Sequence, residues 1–194
     1  MIETSSQQNR YYRYDPNANS FAGVGFSRND DDRITNIHFE DPPVLATWNA
    51  PTCHVFEDNP PTNGDFPSVS NFCSVPLVSE RAWRILQPLI GHNCEALPII
   101  HPSGKSYFLI HVLDTIDALD IEQSEVSRSE GRDRRVRRIY QYVLKTSLLE
   151  GKHIFKLPLM SGGELIVDDE FRTAVEQNGL QGLRFKPIPM KPLE

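Results

Sequence analysis

Proline residues restrict the first third of this chain to short structural elements. They recur between residues 42 and 67, and each removes a backbone N–H group that a central β-strand would need. Only short strands fit such a stretch, and we predict them at residues 10–14, 34–39 and 44–48. From Val78 onward the apolar residues become periodic, which predicts longer elements.

A first amphipathic helix is predicted at about residues 79–90. Ser79 is expected to cap its N-terminus, and apolar side chains recur behind it at helical spacing, with Trp83 as the largest core residue. Gly91 is placed to end the helix. Pro88 is expected to shorten or kink its last turn, because proline has no N–H group to donate.

A second helix is predicted at about residues 169–178. Asp168 or Asp169 would cap it, and Phe171 and Val175 would face the core. The Asn178-Gly179 pair that follows is typical of a helix end.

Short apolar and β-branched runs surround both helices and predict strands. They do not alternate regularly with helices, so the predicted fold class is α+β, with a mixed, mainly antiparallel sheet. A β-hairpin is expected where two runs flank a Pro-Ser-Gly-Lys turn. The predicted strands lie at residues 97–101, 106–113, 139–146, 153–157, 165–167 and 182–186.

The 194 residues are enough for one compact domain with a single core. Within it we predict three regions. Residues 1–9 would form a disordered tail, residues 10–70 a loop-rich acidic layer with short strands, and residues 71–194 the α+β core.

Acidic residues are concentrated in the first 70 residues. The formal net charge is −6, and this region holds ten acidic against four basic side chains. Such a field repels nucleic acid and anionic membranes and accelerates association with a cationic protein. We therefore predict a partner-binding face, the alternative being that these acids serve solubility alone. Its residues are Asp30, Asp31, Asp32, Glu40, Asp41, Glu57, Asp58 and Asp65.

Five arginines lie within residues 132–138. We interpret this run as a solvated sheet edge whose guanidinium groups pair with the chain's own carboxylates. Phosphate contacts to nucleic acid and docking of a partner protein are the alternatives. The net negative charge and the lack of interleaved aromatic residues argue against nucleic acid.

No segment carries a recognisable catalytic or cofactor-binding motif. Neither GxxxxGK[ST] nor GxSxG occurs, and no His or Cys pairs have the spacing of a zinc site. We therefore predict no enzyme, no catalytic residues, no cofactor and no metal. Three widely spaced cysteines, Cys53, Cys73 and Cys94, together with the lack of an apolar signal or membrane segment, indicate a cytoplasmic protein.

Two other functions stay open on the residues alone. One is an enzyme with an unrecognised site built from His101, His111 and residues 114–120, where Asp114, Asp117 and Asp120 recur every third position. The other is a structural or adaptor domain that self-associates through a sheet edge. The oligomeric state is not determined by the sequence.

Four segments in order resemble a bacterial family of immunity proteins from polymorphic toxin systems, long classed as a domain of unknown function. They read VSERAWRILQPLIG, EALPIIHPSGKSYFLIHVLDTIDALDIEQS, IYQYVLKTSLLEGKHIFKLP and ELIVDDEFRTAVEQNGLQGLRFKPI. The resemblance runs from about residue 72 to residue 188, and the first 70 residues do not contribute to it. It implies a protein that binds and neutralises a cognate toxin, and it transfers no catalytic residue.

Overall fold

The computed structural model describes residues 11–39, 42–56, 62–70, 75–130, 136–158 and 164–191. The helices among them are α1 (Arg28–Phe39), α2 (Glu80–Ile90) and α3 (Asp169–Gln177). The strands are β1 (Tyr11–Pro16), β2 (Val24–Gly25), β3 (His54–Val55), β4 (Leu77–Ser79), β5 (Cys94–Ile99), β6 (Tyr107–Val112), β7 (Glu125–Arg128), β8 (Val136–Gln141), β9 (Ile154–Lys156), β10 (Leu165–Asp168) and β11 (Leu183–Pro187). This architecture confirms the predicted α+β class.

The largest sheet has the strand order β11-β1-β10-β9, and each neighbouring pair is antiparallel. The aromatic strand β1 therefore lies between two strands from the C-terminal end of the chain. Its side chains alternate between two cores, because Tyr12 and Tyr14 pack with α2 and α3, whereas Tyr11 packs with Phe155 on the other face. Both faces of this sheet are buried.

A second sheet has the order β4-β6-β5 and contains the predicted hairpin, whose strands β5 and β6 pair antiparallel from Cys94↔Val112 to Ile99↔Tyr107. One face continues the core beneath α2 through Val78 and Ile110. The other face packs on Ile34 of α1, together with the loops of the first third of the chain.

Both predicted helices are confirmed. The Ser79 hydroxyl caps α2 by accepting from the Ala82 N–H at 3.1 Å, and the Asp168 carboxylate caps α3 by accepting from the Phe171 N–H at 2.9 Å. Phe171 and Val175 are buried as expected. The strands predicted near both sides of α3 are present as β9, β10 and β11.

Two details of α2 differ from the prediction. The helix continues through Pro88 to Ile90 and is therefore not shortened, although proline has no N–H group to donate. Trp83 is only half-buried at the edge of the core, and the centre of the helix contact is made by Ala82, Leu86 and Ile90.

The strand predicted at residues 34–39 is wrong, since this segment belongs to α1. Ser27 caps this helix, because its hydroxyl accepts from the Asp30 N–H at 3.3 Å, and the same hydroxyl donates to the Asp30 carboxylate at 2.8 Å. Ile34 and Ile37, three positions apart, then share the buried helix face.

The strand predicted at residues 44–48 is also wrong. The chain forms a short 3-10 helix there, Leu45–Thr47. Its first amides are held by a carboxylate from β5, which the segment itself does not encode. In the polar stretch after Asp114, the sequence missed β7, and the strand predicted at residues 139–146 is β8, which starts at Val136 and ends at Gln141. The predicted tail, residues 1–9, lies outside the described residues.

Candidate partner-binding surface

Three of the predicted partner-binding acids, Asp30, Asp31 and Asp32, lie at the start of α1. Asp30 makes its contacts with other residues of this chain. Besides its two hydrogen bonds with Ser27, its carboxylate pairs with the Arg33 guanidinium at 2.8 Å. The same guanidinium lies over the Trp48 ring at 4.6 Å and donates to the Asn49 carbonyl at 2.8 Å. Asp30 therefore helps to fix α1 against the following loop.

Asp31 has a different neighbour, His54 of the strand β3. Burial raises the pKa of Asp31, the negative charge of Asp32 adds to this effect, and His54 on β3 opposes it. The Asp32 side chain is exposed. Two adjacent carboxylates with a histidine beside them make this end of α1 the acidic part of the surface.

Gly25 lets the side chains of His54 and Phe56 pack closely on β2. Gly25 on β2 pairs with His54, and a Cβ atom at Gly25 would lie 2.7 Å from the Phe56 ring and 2.8 Å from the His54 ring. The two rings contact edge to face, with centroids 5.1 Å apart. Phe56 and Val55 are nevertheless 39% and 38% exposed. An aromatic side chain held in place yet open to solvent is typical of a protein-binding site.

We call the group of Asp31, Asp32, His54, Val55 and Phe56 the α1–β3 surface. Asp31 interacts electrostatically with His54, whose ring contacts Phe56, and Val55 is the other exposed apolar residue of the group. Such a surface gains affinity from burial of the apolar centre and gains association rate from attraction of basic side chains.

Asp65 lies apart from this surface and has an internal role. Its carboxylate accepts from the Ser79 hydroxyl at 2.7 Å, from the Arg81 guanidinium at 3.0 Å and from the Gln181 N–H at 3.0 Å. These contacts join residues 62–70 to the start of α2 and to the loop after α3. The other four predicted residues, Glu40, Asp41, Glu57 and Asp58, lie outside the described residues.

Glu95 on β5 is a positioning residue that the sequence interpretation missed. Its carboxylate accepts from the N–H groups of Val44 and Leu45, at 2.7 and 3.0 Å, and contacts the His111 ring at 3.1 Å. It therefore anchors the loop that carries Trp48, which packs against Arg33 of α1. The predicted strand began only at residue 97, so the sequence interpretation left Glu95 outside the hairpin, whereas the structure places it on β5.

Replacement of Glu95 by glutamine is expected to lower the free energy of unfolding at neutral pH by about 1 kcal/mol, because one charged acceptor is lost. Burial alone would raise the pKa of Glu95, but the Val44 N–H, His111 and the Leu45 N–H together hold it below its ordinary value. The carboxylate therefore stabilises the fold fully above the unfolded-state pKa of about 4.3, and this contribution is lost as pH falls through the lower folded-state pKa.

Urea unfolding of both proteins across this pH range provides the measurement. The difference between wild type and Glu95→Gln should shrink on acidification, since glutamine does not titrate. A difference that stays constant down to the lowest pH would contradict the role of the ionised carboxylate.

The residues of the alternative enzyme site are not brought together. His101 contacts the Ser103 hydroxyl at 2.7 Å, and its ring packs against Tyr107 at the start of β6. His111 lies four residues beyond Tyr107 on the same strand, about 13 Å from that tyrosine at strand spacing. Asp114 binds Lys152 at 2.9 Å and Asn93 at 2.8 Å.

The other candidate groups for chemistry are similarly engaged or buried. Asp120 accepts from the N–H groups of the turn that follows it. Cys53 and Cys94 are buried and free, and burial raises the pKa of Cys53 to about 11, so its thiol stays protonated. Cys73 lies outside the described residues. Across the described parts of the chain, no three His, Cys, Asp or Glu side chains are grouped to hold a metal ion.

In the portions of the chain that the structure describes, no helix has both the length and the apolar character to cross a bilayer.

Comparison with known proteins identifies a family. The model of the immunity protein family, Imm11, matches residues 3–189. The match includes the first 70 residues, which the sequence analysis had left outside the resemblance, so α1 and β3 lie within the region that the family model describes. No curated protein is detectably similar to the chain. Since the family model covers nearly all of its 194 residues, this chain belongs to the Imm11 immunity protein family.

Proposed function

We propose that this protein neutralises a cognate bacterial toxin by direct contact, in the cytoplasm of the producing cell, and that the α1–β3 surface binds a basic region of that toxin. Membership of an immunity protein family supports a toxin as the partner. The observation that carries the choice of surface is Phe56, which is held against Gly25 and His54 and is still exposed, while His54 interacts electrostatically with Asp31 of α1.

The two parts of the surface have different kinetic roles. The carboxylates of Asp31 and Asp32 attract a basic surface over a distance, so they act mainly on the association rate and lose effect at high salt. Val55 and Phe56 become buried only after contact, so they act mainly on the dissociation rate. Occlusion of the toxin requires no chemical step by this protein, and we therefore propose binding rather than catalysis.

The test is binding of the purified protein to the product of the toxin gene adjacent to its own gene. The double variant Asp32→Lys/Phe56→Ala is expected to raise the dissociation constant about 100-fold, because it removes an apolar anchor and inverts a charge. Surface plasmon resonance would also show a smaller salt dependence of the association rate in the variant.

A matched control, Glu150→Lys/Leu148→Ala, makes the same types of change at exposed positions elsewhere. It is expected to bind within about twofold of wild type. Equal affinities of the double variant and wild type would show that another surface binds the toxin. A wild-type protein that fails to bind the toxin at all would refute neutralisation by contact.

A further inference from the structure

Strand β8 contains two extra residues relative to its partner β7. The register runs Glu125↔Gln141, Val126↔Ile139, Ser127↔Arg138 and Arg128↔Val136. Tyr140 and Arg137 have no opposite residue in this register, so each is the additional residue of a β-bulge.

The bulges change which side chains face solvent. In a regular strand with Val136 facing inward, Arg138 and Tyr140 would also face inward. Instead, Val136 and Ile139 are buried in one core cluster, and all four residues around them are exposed. We call these exposed residues, Arg137, Arg138, Tyr140 and Gln141, the β8 arginine face. The face is rigid because its strand is anchored by the two buried side chains.

Among the described residues, the two arginines of this face have no counter-ion. No carboxylate of the described residues lies within 4.0 Å of the Arg137 or Arg138 guanidinium group. The Arg138 guanidinium instead lies 5.8 Å from the centre of the Tyr140 ring, which is 48% exposed. The expected pairing with the chain's own acids is therefore not made by these two arginines, and Arg132, Arg134 and Arg135 lie outside the described residues.

We propose that the β8 arginine face binds an acidic segment of a partner protein. Adjacent guanidinium groups can each hold a carboxylate through two parallel hydrogen bonds, and Tyr140 offers an apolar contact beside them. This surface is opposite in charge to the α1–β3 surface, and the proposal does not require that its partner be the toxin.

An acidic protein segment fits this face better than a nucleic acid does. A nucleic acid gains affinity by neutralising many phosphates, and the described face offers two unpaired guanidinium groups. The net charge of −6 repels a long polyanion more strongly than it repels a short segment that contacts the face alone. The sequence around β8 also supplies one exposed aromatic side chain, Tyr140, and not a row of them on which bases could stack.

The test uses the full chain and a fluorescent oligoglutamate peptide, with a thymidine oligonucleotide of equal charge as competitor. Fluorescence anisotropy at low salt should show peptide binding, and Arg137→Glu/Arg138→Glu should weaken it at least about tenfold. The control Arg84→Glu/Lys105→Glu makes the same change of net charge at exposed positions elsewhere. It should weaken peptide binding by less than about twofold, because it only increases the overall repulsion between the protein and the peptide.

Circular dichroism shows whether each variant is folded. If the charge-reversal variant, Arg137→Glu/Arg138→Glu, is not folded, Arg137→Gln/Arg138→Gln takes its place. The proposal is overturned if the wild type does not bind the peptide, if the control weakens binding as much as the reversal variant does, or if the oligonucleotide binds more tightly than the peptide. None of these results depends on the toxin, so each would leave the proposed function unaffected.

Discussion

Replacement of Phe66 by alanine is expected to lower the free energy of unfolding by about 3–5 kcal/mol, the largest effect among the substitutions considered. Phe66 is fully buried, and its ring meets the edge of Tyr14 with centroids 6.2 Å apart. It belongs to the core beneath α2 and α3, although it comes from a loop and not from a strand or helix. Truncation leaves a cavity that the surrounding sheet can fill only in part.

The measurement is guanidinium unfolding followed by the fluorescence of Trp48 and Trp83. Phe66→Leu, which keeps most of the volume, should cost less than about 1.5 kcal/mol and serves as the control. If Phe66→Ala lowered the free energy of unfolding less than Phe66→Leu does, Phe66 would not be a core residue. If the slope of unfolding free energy against guanidinium concentration is the same in the variant and the wild type, the substitution has changed stability and not the surface exposed on unfolding.

Replacement of Asp65 by alanine is expected to lower the free energy of unfolding by about 2–3 kcal/mol. The carboxylate is 13% exposed and holds Ser79, Arg81 and the Gln181 amide together. Its loss leaves three donors, two at the start of α2 and one in the loop after α3, without this acceptor. Asp65 and Phe66 are adjacent, so the same loop is held by the polar contacts of Asp65 and by the apolar packing of Phe66.

This variant also separates the two roles considered for Asp65. If the residue is structural, Asp65→Ala should lose stability and bind the toxin, at a temperature where it is folded, with wild-type affinity. Asp32→Ala should show the reverse pattern, with stability within about 0.5 kcal/mol of wild type and weaker binding. Weaker toxin binding by a fully folded Asp65→Ala protein would show that Asp65 belongs to the toxin-binding surface.

Part of what the sequence analysis missed was visible in the sequence. Ser27 and Asp30 have the spacing of a capping box, and Ile34 and Ile37 follow at helical spacing, so α1 could have been predicted. The proline-rich surroundings favoured strands instead. The α1–β3 surface was predictable only in its acidic half, because nothing local shows that Val55 and Phe56 stay exposed or that they lie beside α1.

The sequence by itself determined α2, α3 and the β5–β6 hairpin, because caps, apolar spacing and turns act between residues a few positions apart. Only the tertiary structure decided the position of β1, the two bulges of β8 and the roles of two carboxylates. Glu95 binds an amide 51 positions away, and Asp65 binds one 116 positions away. The physical reason is that a buried carboxylate must find donors wherever the packing of distant segments places them, and the neighbouring residues carry no record of that placement.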